Sequence, residues 1–471
     1  MKRRKFLFLS TVAASSLLLG RNFISDTSKN SFTNRLHIPP LLDGKNINGV
    51  YHYDLSIQKA KHQFFQNKLT DTYAINATYL APTLRLIDGQ EVSINYTNNL
   101  DVVTTMHGHG MHLPANMDGS PHQSIKPKDS WSARYRVNQR ACTNWYHPHA
   151  HKTTAQQVYK GLAGLIIIED KESQSLDLPK EYGVDDIPLV LQDRYFDSNA
   201  QILYNPGMRE IMMGYKGDTF VTNGVINPVV TVEAKEIRLR LLNGSNSSVY
   251  NLKFDDSRVF HQIATDNSFL ETPVSLNSLR LSPGERAEIV VDLTTQKGQT
   301  LYLMEYQQNK AFVKFDITQS SSTKTQLPKK LTTLVKYKES QAVNRRTFTL
   351  SAMMGQMQIN AKSMSMHRID EKVPLNQVEI WEVHNERMMM DMAHNFHIHG
   401  THFMVLERNG SAQNVLESEK GYKDTVYLAA GDRVKLIVKM TDYTDKTTPY
   451  MYHCHFLEHE DRGMMGQFTV S

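Results

Sequence analysis

Cysteine is scarce in this chain, whose 471 residues include only Cys142 and Cys454. Two cysteines form at most one disulfide bond, which excludes a fold held together by several disulfides. We expect Cys142 to be a buried free thiol, because Cys454 lies in a motif that suits metal binding. Acidic residues are absent before Asp26. The five basic residues in that N-terminal segment account for the whole formal charge of +5. The remainder is near neutral, which excludes nucleic acid as a partner.

An apolar run near the N-terminus, from Phe6 to Leu19, is too short to span a bilayer as a mature helix. Because it follows a cluster of basic residues, it predicts an export signal over residues 1–28. The order Arg3-Arg4-Lys5-Phe6-Leu7 is typical of the twin-arginine route, which carries folded proteins, and a plain secretory signal is the alternative. We therefore expect a periplasmic or secreted protein whose mature chain does not span the membrane.

Helical apolar stripes are also few, whereas Asn, Thr, Gly and Pro are frequent and β-branched residues alternate with polar ones. This pattern predicts an all-β chain. A length of 471 residues exceeds one ordinary hydrophobic core, so two or three domains are expected.

Three predicted strands end in asparagine, at Asn98, Asn243 and Asn385, with spacings of 145 and 142 residues. The residues two and four positions before each asparagine are apolar, as one buried face of a strand requires. They are Tyr96 with Ile94, Leu241 with Leu239, and Val383 with Trp381. The repeat predicts three homologous β domains, over residues 29–172, 173–325 and 326–471.

Histidine is almost absent from the middle repeat, which contains only His261 between Lys152 and Met366. Nine positions after the repeated asparagine stand His107 in the first repeat and His394 in the third, but Leu252 in the middle one. The pattern indicates that the first and third domains carry metal ligands and that the middle domain has lost them.

The C-terminal stretch from His453 to Met464 reads as a metal site. If residues 452–456 are extended, Cys454 points to one face, and His453 and His455 point to the other. The thiolate, His459 and Met464, with one more histidine from elsewhere, would form the trigonal set with a weak axial methionine that marks an electron-transfer copper. The opposite face would meet three further pairs, which are His107-Gly108-His109, His147-Pro148-His149 and His397-Ile398-His399.

With four His-x-His elements, the chain resembles the three-domain multicopper oxidases, and within them the bacterial copper-efflux (cuprous) oxidases and bacterial laccases. The resemblance covers nearly all of the mature chain and implies three cupredoxin-like Greek-key β-barrel domains. The segments that carry it are Trp145-Tyr146-His147-Pro148-His149, Gly161-Leu162-Ala163-Gly164, Phe396-His397-Ile398-His399-Gly400-Thr401 and Tyr452–Met465.

The resemblance also implies four copper ions. Type 1 copper would be held by His394, Cys454, His459 and Met464, and type 2 copper by His107 and His397. The type 3 pair would take His109, His147 and His455 on one ion, and His149, His399 and His453 on the other. Asp118 and Glu460 occupy positions that serve proton delivery in the family. His112, His122, His151 and His402, which neighbour the motifs, are expected to be ordinary polar residues. Copper is favoured over zinc, because zinc is redox-silent and prefers closed four-ligand sites.

The expected function is that of a monomeric multicopper oxidase, which couples oxidation of Cu(I) in copper detoxification, and of small phenols, to reduction of dioxygen to water. Thioethers prefer Cu(I), so Met390, Asp391 and Met392, just before His394, are the candidate substrate-binding residues. Residues 351–368 lack the acidic residues that the efflux oxidases often carry in this region. A laccase of small aromatics is therefore the alternative, followed by a non-enzymatic scaffold of the same fold and a copper-storage protein.

Overall fold

The computed structural model describes residues 32–319, 327–353, 355–387 and 391–471, so the predicted export signal and Met390 lie outside the described residues. Strands dominate each third of the chain, which confirms the predicted all-β class. No helix within the described ranges is long and apolar enough to cross a membrane.

The first domain consists of two packed sheets built from strands β2–β11. The first eleven strands are β1 (Asn34–Arg35), β2 (Leu41–Asp43), β3 (Lys45–Ile47), β4 (Val50–Phe65), β5 (Lys68–Ile75), β6 (Thr83–Ile87), β7 (Glu91–Asn98), β8 (His107–His109), β9 (Ser130–Arg136), β10 (Cys142–His147) and β11 (Gly164–Glu169). The sheets have the orders β2-β6-β11-β10-β8 and β3-β4-β7-β9, with β5 paired to β4. A 3-10 turn (Ala115–Met117) and helices α1 (Thr154–Tyr159) and α2 (Lys171–Ser175) complete this part.

The middle domain also has two sheets, and one of them recruits β1 from the start of the described chain. Its elements are β12 (Asp186–Arg194), α3 (Met208–Met213), β13 (Thr219–Thr222), β14 (Pro228–Val232), β15 (Glu236–Asn243), β16 (Tyr250–Phe254), β17 (Phe260–Ala264), β18 (Phe269–Leu276), β19 (Leu279–Leu281), β20 (Arg286–Asp292), β21 (Thr300–Glu305) and β22 (Lys310–Ile317). The sheet orders are β13-β12-β15-β20-β17-β18 and β1-β14-β22-β21-β16-β19.

The third domain repeats the two-sheet arrangement. Its strands are β23 (Ala342–Met353), β24 (Gln356–Ile359), β25 (Glu371–Val373), β26 (Val378–Asn385), β27 (His394–Ile398), β28 (Phe403–Arg408), β29 (Thr425–Leu428), β30 (Arg433–Lys439), β31 (Asp445–His453) and β32 (Met465–Val470). Helix α4 (Leu457–Asp461) and 3-10 turns at Glu339–Gln341, Ala412–Asn414 and Glu417–Glu419 lie in the connections. The sheet orders are β24-β23-β26-β30-β28 and β25-β32-β31-β27-β29.

The strand face predicted from the repeat is buried in all three domains. Ile94 and Tyr96 belong to the core of the first domain, and their counterparts on β15 and β26 belong to the other two cores. Strand β15 is buried on both faces, because its other side, which carries Arg240, packs against the first domain, where the guanidinium donates to Thr143. The middle domain is thus tied to the first through charged side chains.

The repeated asparagine has the same role in each domain, since its buried amide donates to backbone carbonyls of two loops. Asn98 bonds Val102 and Ile125 at 2.8 and 2.9 Å. Asn243 bonds Ser248 and Leu281 at 2.7 and 2.8 Å. Asn385 donates in the same way to Met392, at 2.9 Å, and to the loop after β29. The repeat seen in the sequence therefore marks a loop clamp.

Replacement of Asn243 by alanine is expected to destabilise the middle domain by about 3 kcal/mol, because two buried carbonyls lose their donor. The change is measured by urea unfolding of the variant against the parent protein. Asn95→Ala is the matched control, since that amide makes an exposed bond to Asp54. Equal losses in the two variants would contradict the clamp.

Candidate metal centre

Two imidazoles converge on the thiol of Cys454. Its Sγ lies 3.6 Å from Nδ1 of His394 and 3.7 Å from Nδ1 of His459, and the two imidazole nitrogens are 3.0 Å apart. All three side chains are buried and close enough to share one metal ion. Met464 is also buried, and its backbone bonds both Cys454 and His459. The tight turn through α4 therefore brings residues ten positions apart to one point.

Burial sets the protonation of these donors. It raises the pKa of the Cys454 thiol to about 12, and it lowers the pKa of the His459 imidazole to about 4. The pKa of His394 is held well below its ordinary value by burial and then by the proximity of His459. Both imidazoles are neutral and offer lone pairs, whereas the thiol needs a bound cation to ionise at neutral pH. The donor set fits a thiophilic metal such as copper.

The backbone around Cys454 differs from the predicted extended strand. Strand β31 ends at His453, because Phe456 opens helix α4. Cys454 nevertheless faces away from its two neighbours. Nε2 of His453 points to Nε2 of His399 at 3.1 Å, and Nε2 of His455 points to Nε2 of His147 at 3.4 Å. One short segment thus contributes to two donor sets.

Eight histidines form the second donor set, and register explains why they meet. In the first domain, antiparallel pairing of β8 and β10 places His107 opposite His147. In the third domain, pairing of β27 and β31 places His397 opposite His453. Alternate residues of a strand face the same side, so each His-x-His element contributes two imidazoles. The eight, all buried, are His107, His109, His147, His149, His397, His399, His453 and His455.

The two sets of four interdigitate across the interface between the first and third domains. The ring of His107 stacks on that of His399, with centroids 3.9 Å apart, and His109 stacks on His397 at 3.8 Å. His149 joins from the first domain, with its Nε2 3.2 Å from Nε2 of His453. The structure therefore brings together all eight histidines that the sequence analysis proposed.

The two predicted type 3 ligand groups can be compared with the distances between their imidazole rings and nitrogen atoms. His149, His399 and His453 form one group in which a ligand atom of each lies within 4.8 Å of the others. The predicted partners His147 and His455 face each other, and the ring of His109 lies 4.8 Å from that of His455.

Several imidazole nitrogens in this cluster are buried without a hydrogen-bond partner, which is costly unless a cation takes their lone pairs. They are His107 Nε2, His109 Nδ1, His149 Nδ1, His397 Nε2 and His455 Nδ1. Burial and neighbouring histidines also hold the pKa of His147 and His453 well below the ordinary value, so these rings are neutral. A buried cluster of neutral imidazoles with orphaned nitrogens fits metal binding better than any structural role.

The two predicted carboxylates flank the cluster. Asp118 Oδ2 lies 2.8 Å from Nδ1 of His399, and its backbone carbonyl lies 2.8 Å from Nδ1 of His107. Glu460 lies on the other side, with its oxygens 3.3 Å from Nδ1 of His453 and 3.6 Å from Nδ1 of His149. Burial raises the pKa of Glu460 well above its ordinary value.

A third carboxylate, Asp424, also contacts the cluster and was not predicted from the sequence. It lies 2.9 Å from Nε2 of His109 through Oδ1, and its carbonyl lies 2.9 Å from Nδ1 of His397. These contacts orient the two rings from outside, as carboxylates and carbonyls do in known metal sites. No spacing in the sequence relates Asp424 to the histidines; the one available signal was an acidic residue directly before an apolar strand.

The candidate substrate-binding residues do not share one environment. The Asp391 side chain is 71% exposed and pairs with Arg387 at 3.5 Å. Met392 is buried in the core of the third domain. Met390 lies outside the described residues. The outer edge of His459 is covered instead by α3 of the middle domain, because its Nε2 lies 3.0 Å from the Met212 carbonyl.

Helix α3 is a methionine-bearing element that the sequence analysis did not single out. Met208 and Met213 are exposed on it, at 63% and 36%. Three methionines within six residues, at positions 208, 212 and 213, were the signal in the sequence that could have indicated this element.

Three of the four neighbouring histidines have protein partners, as expected for residues that are not ligands. His112 pairs with Asp442 at 2.8 Å, His402 lies 2.9 Å from the Gly110 carbonyl, and His122 lies 2.9 Å from Gln467 Oε1.

Comparison with known proteins covers nearly the whole described chain. Three family models, each described as multicopper oxidase, match residues 56–173, 185–326 and 326–471. The multicopper oxidase mco of Staphylococcus haemolyticus is 38% identical over 440 residues, 93% of each chain. The cell division protein FtsP of Xenorhabdus nematophila is 33% identical over 485 residues, 100% of this chain and 99% of that one. The crystal structure of a laccase from Pediococcus acidilactici superposes with a TM-score of 0.86 at 35% identity, over 93% and 94% of the chains.

Proposed function

The chain belongs to the multicopper oxidase family, and from that premise we propose that it oxidises Cu(I) and uses the electrons to reduce dioxygen to water. One observation carries the proposal: Cys454 faces the His394 and His459 donors, while its two chain neighbours face the eight-histidine cluster. An electron donor site and an oxygen site are thereby joined through one residue. Four Cu(I) ions and four protons are consumed for each dioxygen that becomes two waters.

We assign the ligands as the family resemblance implies, and the convergent donors and orphaned nitrogens support the assignment. The type 1 ion would be held by His394, Cys454, His459 and Met464, the type 2 ion by His107 and His397, and the type 3 pair by His109, His147, His455, His149, His399 and His453. Copper bound there would supply the one-electron redox chemistry that zinc cannot.

The chain's own residues orient the cluster and hold protons beside it. Asp118 fixes two rings through its carboxylate and its carbonyl, which leaves their Nε2 atoms directed inward. Glu460, which is buried, places its two oxygens beside His453 and His149. We propose that these two carboxylic groups deliver the protons that dioxygen reduction requires, one from each side of the cluster.

Small phenols are the second candidate donor, and a cavity supports them. A cavity of about 730 Å³ opens beside α3 and α4, lined by Tyr204, Ile211 and Met364 among others. Its size and mixed lining suit a small aromatic molecule. It lies next to α3, which touches the edge of His459.

Two non-oxidase alternatives make a different prediction. A scaffold without copper would have no use for buried neutral imidazoles with orphaned nitrogens. A copper-storage protein would bind the metal but consume no dioxygen. Oxygen uptake by the copper-loaded protein, measured with Cu(I) and with a phenol, therefore separates the oxidase from both.

The cellular setting is proposed from the N-terminal sequence. We propose export to the periplasm or outside the cell by the twin-arginine route, since a metal-loaded chain of three docked domains must fold before transport. The mature protein would act as a monomer, with domains over residues 29–172, 173–325 and 326–471.

The Cu(I) donor site is proposed at Met390, Asp391 and Met392, which lead into His394. Changing them to Leu, Asn and Leu is expected to slow Cu(I) oxidation by about tenfold, equal to about 1.4 kcal/mol of lost Cu(I) affinity. A bulky phenol should be oxidised as fast or faster, because it needs only access to the His394 edge. Steady-state oxygen uptake with each donor, corrected for spontaneous Cu(I) oxidation, gives the comparison.

Two further variants sharpen this test. Met440→Leu removes a thioether from the core of the same domain and controls for altered packing. Met208→Leu with Met213→Leu removes the exposed thioethers of α3. A selective loss of Cu(I) oxidation in the α3 variant alone would move the donor site to the middle domain. No selective loss in either would leave the phenol oxidase as the better assignment.

A further inference from the structure

The middle domain has no proposed ligand, yet one of its loops touches the metal centre at three points. This loop, residues 282–286, comprises the connection from β19 to β20 and the first residue of β20. Its first contact is with Asn395, whose amide donates to the Pro283 carbonyl at 2.8 Å and to Ser282 Oγ at 3.1 Å. Asn395 Oδ1 in turn accepts from the His455 backbone N–H at 2.6 Å and lies 3.7 Å from Cys454 Sγ. The loop thus braces the segment shared by the two donor sets.

The second contact is made by Gly284, which has a φ of +83° and lies against two cluster rings. A Cβ atom at this position would approach His455 to 3.1 Å and His109 to 3.2 Å. Both the backbone conformation and the space require glycine. The loop therefore packs directly against the cluster, in contact with imidazoles from the first and third domains.

The third contact is the Arg286 guanidinium, which is completely buried. Its two terminal nitrogens donate to the two oxygens of Asp424 at 2.8 and 2.6 Å. The same group donates to Asn144 Oδ1 at 2.7 Å and to the Thr143 carbonyl at 3.0 Å, both on β10 of the first domain. One side chain of the middle domain therefore bridges the other two domains.

Asp424, which Arg286 holds in place, contacts two of the proposed ligands. Both Asp424 oxygens accept from the Arg286 guanidinium, and Oδ1 lies 2.9 Å from Nε2 of His109. The Nδ1 of the same ring has no hydrogen-bond partner among the described residues, so its lone pair is free to bind a metal ion. The Asp424 carbonyl lies 2.9 Å from Nδ1 of His397, whose ring stacks on that of His109.

Gly110 shows how closely these groups fit. A Cβ at this residue, directly after His109, would come within 2.5 Å of Asp424 Oδ2 and 2.6 Å of both Arg286 Nη2 and Asn144 Oδ1. A planar guanidinium fills this site with donors in fixed directions, which the single ammonium of lysine cannot reproduce.

We propose that the loop 282–286 is the positioning element of the cluster, and that Arg286 acts through Asp424 to hold His109 and His397 in the orientation that binds copper. The middle domain then contributes to the oxygen site without contributing a ligand. The inference rests on the ligand assignment proposed above. Arg286 is a positioning residue, because it touches the residue that orients the ligands and not the ligands themselves.

The test compares Arg286→Lys and Arg286→Met with the matched control Arg240→Lys. Arg240 is another buried arginine of the same domain, which pairs with Asp186 and Glu288. Each variant and the parent are loaded with copper, and copper content is followed during competition with a chelator. The blue absorption reports the Cys454 site, and the paramagnetic resonance spectrum of the non-blue Cu(II) reports the cluster.

Both Arg286 variants are expected to keep the blue absorption, to bind cluster copper about 10- to 100-fold more weakly, and to show altered non-blue Cu(II) splittings. Arg240→Lys should lose stability without these changes. Arg286 variants that match Arg240→Lys in copper affinity and splittings would overturn the inference while leaving the proposed function intact. A parent protein without non-blue copper would instead overturn the proposed function.

A double variant covers the case in which Arg286→Met fails to fold because Asp424 is left as an unpaired buried charge. Arg286→Met with Asp424→Asn removes both charges and keeps the shape of the site. It is expected to fold and still to bind cluster copper more weakly than the parent. Parent-like cluster affinity in the folded double variant would also overturn the inference.

Discussion

Replacement of Cys454 by serine is expected to abolish the blue colour of the copper-loaded protein and to stop oxidation of every donor. The thiolate is the defining ligand of an electron-transfer copper, and serine offers a hard oxygen in its place. The site has no room to recruit a substitute, because Cys454, His394 and His459 are all buried. Visible absorption, copper content and oxygen uptake are measured on the same preparation.

Cys142→Ser is the matched control for this variant. Cys142 is the other buried thiol of the chain, on β10, with the Gln139 amide 3.5 Å from its Sγ. It is expected to keep the blue colour, whatever stability it loses. Colour that survives Cys454→Ser, or a parent that takes zinc in place of copper, would contradict the proposed type 1 site.

Local periodicity predicted an all-β chain of three homologous domains, and the family resemblance added the cupredoxin-like form of each domain and the meeting of the histidines. The three cupredoxin-like domains are confirmed by the superposition with known multicopper oxidases. The asparagine repeat was readable because each domain needs the same loop clamp. The His-x-His elements were readable because a strand alternates its faces, and the structure adds only the register that sets His107 beside His147. Cys142 is a free buried thiol, as predicted.

Contacts between domains could not be predicted in the same way. Arg286, helix α3 and the contact of Asp424 with His109 reach the metal centre only after the three domains dock, and docking leaves no periodic signal in the sequence. Strand β1 likewise joins the sheet of the middle domain, although it precedes the first domain in the chain.

Replacement of His455 by alanine is expected to separate the two halves of the reaction. The blue absorption should stay nearly unchanged, because the His455 ring faces His147 and away from the Cys454 thiol. Oxygen uptake should fall by at least about 100-fold, the upper end of what the loss of an outer contact of a metal ligand costs. A donor added without air should still bleach the colour, and admission of air should fail to restore it.

Two control variants are needed to interpret this result. His455→Gln retains volume near Gly284 and should behave in the same way, which excludes a simple packing defect. His402→Ala removes a half-buried histidine of the same interface that bonds the Gly110 carbonyl, and should turn over dioxygen at near the parent rate. If His455→Ala consumed oxygen as fast as the parent, Cys454 and its neighbours would not belong to two linked sites. Loss of the blue colour together with oxygen uptake would equally deny that the two donor sets are separate, since His455 would then be needed to hold the Cys454 site.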